Sequence, residues 1–454
     1  MFKIRGMRGF LASTIASSIG VSCAAALVLP LAPPATAAPT SPASPPGARS
    51  ARPATLPSAP AAAVPGSTQS LALVPVARDR TLGPAAAEQG LTRDDVRHFA
   101  LVGVVWDDAD TPLHGRVQVR TRSTRDGAWS RWRDLETHND DVADPGAAER
   151  ASGRVRGSTA PLWVGDSDGV DVRVRAESRR RRGGTARGTR AGTAEGPLPS
   201  GLRLELVDPG DPPPDRAQGP GATEIPALTK AATEDELRTL SDVELTPRQR
   251  ANPYIGPRPR IITRRGWGAD ETLRARGFVY TKKVKAAFVH HTASGNGYTC
   301  SQAASVIRGI YRYHVRSMGW RDIGYNFLVD KCGTIYEGRA GGVAKPVLGA
   351  HTLGFNSNSM GIAVLGSFGS AKPPTAVLDA IARLTAWKLG LYGANPRGKT
   401  YLTSGGGNLY RKGKNVRLNV ISGHRDGFAT ECPGRRLYSK LGTARSTAAR
   451  YQGR

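Results

Sequence analysis

The chain has 454 residues, which excludes one ordinary core and predicts two domains with linkers. Lys and Arg number 64 against 37 Asp and Glu, a formal net charge of +27. So basic a balance favours a polyanionic neighbour, and nucleic acid, anionic lipid and an anionic cell wall all satisfy it.

Residues 1–37 read as a secretory signal. Lys3, Arg5 and Arg8 form a positive start, an apolar run follows from Phe10 to Leu31, and Ala35-Thr36-Ala37 supplies small residues for cleavage. A retained membrane anchor is the alternative. Cys23 lies inside this segment, but a lipoprotein would need a better-placed apolar residue than Gly20 before it. No later run is apolar enough to span a bilayer, so no stable span is expected after cleavage.

Residues 38–90 are dominated by Ala, Pro and Ser and predict a disordered tether. Residues 91–208 read as a small all-β, sandwich-like domain. Phe99 to Trp106 is apolar enough for a buried strand, and Arg116-Val-Gln-Val-Arg120 alternates like a half-exposed one. Trp129 and Trp132 bracket another strand. Ala160 to Val164, Val170 to Val174 and Leu202 to Leu206 continue the pattern. Residues 178–199, with arginine at each position from Arg179 to Arg182, read as a solvated basic loop. Residues 209–258 form a second linker with a short helix at Thr233 to Leu240.

Residues 259–445 change to an α/β pattern, expected as a mixed β-sheet flanked by helices. Val284 to His290 is a strand. Gln302 to Arg316 places Val306, Ile307, Ile310, Tyr311 and His314 on one helical face. Asn326 to Val329 and Thr334 to Glu337 predict a hairpin around Gly333, and Gly361 to Leu365 a buried strand. Pro374 to Leu389 predicts a helix closed by Gly390, and Arg417 to Ile421 a last strand.

Export leaves Cys300, Cys332 and Cys432, which in an oxidising compartment asks for a pair and a single. Cys300 and Cys332 flank one predicted helix and the strand after it, so a disulfide between them is expected. The alternative is that Cys432 joins the disulfide.

Two strand ends and one loop carry the chemistry. Phe288-Val-His-His-Thr292 ends one strand, and Gly423-His424 ends a far later one. Cys432 follows His424 by eight positions through a turn-rich loop. His290, His424 and Cys432 would then meet at one sheet edge. Two imidazoles and a thiolate are good zinc ligands, and three protein ligands leave a position open, as catalytic sites do. A zinc so held lowers the pKa of its water to about 7 and polarises a carbonyl.

Seven blocks raise this from pattern to resemblance: Thr263-Arg-Arg-Gly-Trp-Gly-Ala269, Phe288-Val-His-His-Thr-Ala293, Asp322-Ile-Gly-Tyr-Asn-Phe327, Ile335-Tyr-Glu-Gly-Arg339, Gly349-Ala-His351, Ser359-Met-Gly-Ile362, and Gly423-His-Arg-Asp through Thr430-Glu-Cys-Pro-Gly434. In that order they resemble the peptidoglycan recognition protein/type 2 N-acetylmuramoyl-L-alanine amidase family, over about Arg260 to Leu441. The resemblance implies that His290, rather than His291, is the ligand, completed by His424 and Cys432. Strand geometry agrees that only one of the two histidines faces the site.

The resemblance further implies Tyr325 as the catalytic tyrosine and Thr430 as a donor to the tetrahedral intermediate. It implies His351 and Asn356 in a glycopeptide groove. Arg339 either holds a substrate carboxylate or braces the hairpin, and Asp426 either supports the ligand histidine or closes a turn. The implied activity is a secreted, wall-associated zinc amidase that cuts between N-acetylmuramic acid and L-alanine of peptidoglycan. A peptidoglycan-binding protein without catalysis is the alternative. The expected partners are peptidoglycan and anionic wall polymers. Nucleic acid is not expected, because no such module is visible and the export signal places the chain outside the cell.

Overall fold

The computed structural model describes residues 65–76, 88–137, 141–179, 194–195, 197–212, 221–239, 246–247 and 251–454. The expected export signal, the tether as far as residue 64 and most of the basic loop at 178–199 lie outside them.

The first domain is all-β: β1 (Ser67–Ala72), β2 (Val74–Pro75), β3 (Glu88–Arg93), β4 (Phe99–Trp106), β5 (Gly115–Ser123), β6 (Arg133–Leu135), β7 (Gly157–Ser158), β8 (Leu162–Ala176), β9 (Ser178–Arg179), β10 (Ala194–Glu195) and β11 (Arg203–Asp208). The path β1-β11-β4-β8-β3-β2 carries its main sheet, β5 also pairs with β8, and β9 pairs with β10. β8 runs unbroken where two strands were expected. Its first half pairs with β4, and from Val170 onward it pairs with both β3 and β5. Gly165, at φ 78°, supplies a left-handed residue between the two halves.

Two sequence expectations need correction. The tether does not extend to residue 90, because β1 pairs with β11 from Ser67↔Asp208 to Ala72↔Arg203 and Leu73 is buried behind it. Its polar sequence suits an edge strand held by backbone bonds rather than apolar packing. The second linker is also partly structured. β12 (Glu224–Ile225) pairs with β13 (Ile261–Ile262), and α1 (Lys230–Thr239) buries Leu237 in the core of the second domain.

The second domain has a mixed sheet in the order β12-β13-β16-β15-β17-β14-β20, from β14 (Ala286–His291), β15 (Phe327–Val329), β16 (Ile335–Glu337), β17 (Ser359–Val364) and β20 (Ile421–Gly423). The expected hairpin is β15–β16, antiparallel from Phe327↔Glu337 to Val329↔Ile335. The last predicted strand divides. β18 (Lys399–Thr403) and β19 (Asn415–Asn419) form a separate ribbon, and only β20 joins the main sheet. α2 (Ala303–Arg312) covers one face, and α3 (Thr375–Gly390) and α5 (Leu441–Gln452), after the short α4 (Arg435–Tyr438), cover the other. Cys300 and Cys332 form a disulfide. Among the described residues no helix is long and apolar enough to cross a membrane.

The two domains share a core. Every residue of β4 is buried because both faces are covered. Val102, Val104 and Trp106 face the β domain, whereas Leu101 and Val105 join Ile307, Ile310 and Tyr313. Tyr313 presses on Gly103, where a Cβ would fall 2.3 Å from the phenol oxygen. That phenol donates to Thr159 O at 3.1 Å. Each fully buried Leu, Ile or Val contributes about 1.5–3 kcal/mol. Exposed ion pairs give about 0–1 kcal/mol, so apolar packing fixes the domains together.

Candidate metal centre and groove

β14 and β20 are parallel neighbours, with Val289 opposite Gly423, so the residues that follow emerge side by side. His290 and His424 are therefore adjacent, their rings 4.5 Å apart. The turn His424–Asp426 is closed by Asp426, which accepts from Gly423 N–H at 2.9 Å and from the Tyr438 hydroxyl at 2.5 Å. Of the two roles considered for Asp426, turn closure is the one its contacts describe. The loop then returns, and Cys432 Sγ lies 3.8 Å from His290 Nδ1. One ligand atom from each of His290, His424 and Cys432 fits within 4.8 Å, and all three residues are buried.

Period-2 geometry sends His291 the other way. It accepts from Phe368 N–H at 3.2 Å, and its Nε2 lies 3.4 Å from Glu136. His290 Nε2 meets Thr352 Oγ1 at 3.4 Å, which leaves Nδ1 toward the cluster. Burial pushes His424 down to about 3, against the opposing pull of Asp141, so its imidazole is neutral, the form that binds metal. Neither ring nitrogen of His424 has a hydrogen-bond partner. Unsatisfied buried nitrogens beside a cysteine sulfur fit the donor chemistry of zinc.

Tyr325 is buried next to His290, ring centroids 5.7 Å apart. Burial, and secondly the Asp141 carboxylate, raise its phenol well above the usual range. It therefore remains a donor, here to Asp141 Oδ2 at 2.7 Å. Thr430 is half-buried, and its hydroxyl accepts from Cys432 N–H at 3.3 Å within the ligand loop.

His351 lies next to His290, ring centroids 5.2 Å apart. It is fully buried behind His290, with Nδ1 3.0 Å from Thr352 Oγ1 and Nε2 3.4 Å from Ser359 Oγ. Gly361 packs against this ring, and a Cβ there would fall 2.5 Å from it. Asn356 is buried as well. Its Oδ1 accepts from His351 N–H and Thr352 N–H, and its amide donates outward to Val142 O at 2.9 Å and Asp144 Oδ1 at 2.7 Å. Arg339 is held by contacts within the chain. Its Nε braces Ile323 O at 2.8 Å, and its two terminal nitrogens grip a carboxylate at 2.9 and 3.0 Å. That carboxylate belongs to the chain's own Glu149.

Sequence reasoning missed Asp141, Asp144 and Glu149. Asp141 Oδ1 lies 2.8 Å from His290 Nδ1 and 3.2 Å from His424 Nδ1. Burial alone would raise Asp141, but His290 first and His424 second outweigh it and hold the carboxyl below the usual range. The only sequence signal is acidity within a turn-rich stretch, which reads equally as a solvated loop.

Residues 51–197 match a family described as Rv3811 N-terminal galactose-binding domain-like, and residues 280–435 match the N-acetylmuramoyl-L-alanine amidase family. Peptidoglycan-recognition protein SC2 of Drosophila simulans is 32% identical over 183 residues, 40% of this chain and 85% of that protein. Peptidoglycan recognition protein of Trichoplusia ni is also 32% identical, over 40% of this chain and 85% of that protein. The structure of wild-type Drosophila PGRP-LB is 27% identical, covering 40% of this chain and 92% of that one with a TM-score of 0.32. Through its C-terminal domain, the chain belongs to the peptidoglycan recognition protein/type 2 N-acetylmuramoyl-L-alanine amidase family.

Proposed function

We propose that the chain is a zinc-dependent N-acetylmuramoyl-L-alanine amidase, exported and retained at the cell wall. Family membership supports peptidoglycan binding or amidase activity. The observation that carries the finer reading is the buried meeting of His290, His424 and Cys432 beside Tyr325. A protein that only bound glycopeptide would not need His424, with both ring nitrogens unsatisfied, buried beside His290 and Cys432.

His290, His424 and Cys432 would hold the ion. When bound, zinc supplies a Lewis acid that activates water and polarises the amide carbonyl. The Tyr325 phenol would donate to the oxygen on which negative charge develops. Thr430 would hold the Cys432 loop through its hydrogen bond to the backbone. Asn356 and Arg339 offer an amide and a guanidinium to the glycopeptide, the latter suited to a stem-peptide carboxylate.

Zymography on purified cell-wall material, with and without chelator, tests the reading. Clearing that chelation abolishes and zinc restores is expected. Clearing that survives metal removal, or wall binding with no clearing, would instead favour a binding protein.

A further inference from the structure

Residues 141–149 leave the β domain and run along the groove of the other domain. Asp141 is 5% exposed, Val142 9% and Ala143 7%, so this strap is packed rather than resting on the surface. Its carboxylates reach three separate parts of the groove. Asp141 reaches the two histidines of the ligand cluster and accepts from Tyr325. Asp144 accepts from Asn356 and from Gly354 N–H at 2.7 Å. Glu149 pairs with Arg339 and accepts from Arg321 N–H at 3.0 Å. The groups best suited to a glycopeptide are thus occupied by the chain itself.

Asp141 Oδ1 has no hydrogen-bond partner, although two imidazole nitrogens stand within 3.2 Å. It faces them without an aligned N–H, as ligands around one cation do.

We propose that Asp141 is the fourth ligand of the metal held by His290, His424 and Cys432, and that the strap it begins keeps the amidase latent. The latency half rests on the amidase reading. Two nitrogens, one sulfur and one carboxylate oxygen complete a tetrahedral set and remove the open position that catalysis uses. Because an apolar core joins the domains, the strap rather than the domain is the part that must give way. Glycopeptide competes with a carboxylate tethered at high effective concentration.

The test uses the full chain as wild type, as Asp141→Ala, and as the double variant Asp144→Ala/Glu149→Gln. Zinc affinity is measured by competition with a chromophoric chelator, ligand geometry by the visible spectrum of the cobalt-loaded chain, and activity by muropeptide release. Asp141→Ala is expected to weaken zinc by about 10–100-fold, as loss of metal-site groups does. It should change the cobalt spectrum and raise the release rate at least about tenfold, by removing a closed state that lowers apparent affinity. The double variant keeps Asp141 but loosens the rest of the strap, so its release rate should rise while its zinc affinity falls less than that of Asp141→Ala.

Unchanged zinc affinity and spectrum in Asp141→Ala would overturn the ligand assignment. Release lost in a folded Asp141→Ala chain would overturn latency, as would a rate unchanged in the double variant. If zinc weakens as expected but no form releases product, the ligand assignment stands and the amidase reading fails.

Discussion

At the scale of single residues, protonation states decide what each group can do. Tyr325 stays protonated because burial and Asp141 both oppose its ionisation, so its contribution is a donated hydrogen bond. Tyr325→Phe should lower kcat on muropeptides by about 10²–10³-fold, the usual effect of losing one oxyanion donor. Zinc affinity should be unchanged, and full activity in this variant would remove Tyr325 from the chemistry. His314 offers a prediction about stability. Burial pushes it down to about 3, and its Nδ1 accepts from Gly324 N–H at 3.2 Å. An unfolded histidine titrates near ~6.5, so the unfolded chain binds the extra proton in between. His314 therefore favours the fold above ~6.5, and that stability is lost as pH falls toward 3 at about 1.4 kcal/mol per unit. In the Cys432→Ala background, which limits the metal's contribution, thermal unfolding should show a shallower acid slope with His314→Gln than without it. Equal slopes would contradict this assignment.

At the scale of elements, β4 shows how a strand can serve two domains. Its alternate faces pack on opposite sides, and Gly103 leaves room for the Tyr313 ring. Gly103→Ala forces overpacking and should cost about 1–3 kcal/mol. Calorimetry should show a lower Tm and a broader transition as the two domains uncouple. A Tm equal to that of wild type would contradict the role given to this contact. The apolar run of β4 and the Val117/Val119 alternation of β5 were legible because burial writes itself into residue type. The meeting of His290 and His424 was legible because parallel strand ends lie at one edge. β1 was not, since Ser67–Ala72 is polar and its place comes from backbone pairing with a strand far along the chain. The strap was not either. Asp141 lies 149 positions before His290, and only docking of the two domains brings them together.

At the scale of the whole molecule, a net charge of +27 favours a polyanionic surface. A cleft of about 700 Å³ includes Arg154, Arg156, Arg274, Arg316 and Arg321 in its lining, with arginines from both domains. Retention on cell-wall material should fall as salt rises, because screening shortens from about 10 Å at 0.1 M to about 3 Å at 1 M. Retention indifferent to salt would exclude a charge-driven attachment. The account's most direct test is mass spectrometry of muropeptides after digestion by the wild-type, Asp141→Ala and Cys432→Ala chains. It predicts stem peptides with a free L-alanine amine and glycan carrying free lactyl carboxylate from the first two, faster from Asp141→Ala, and neither product from Cys432→Ala. Intact lactyl–alanine bonds in all three digests, or cleavage that persists without Cys432, would contradict it.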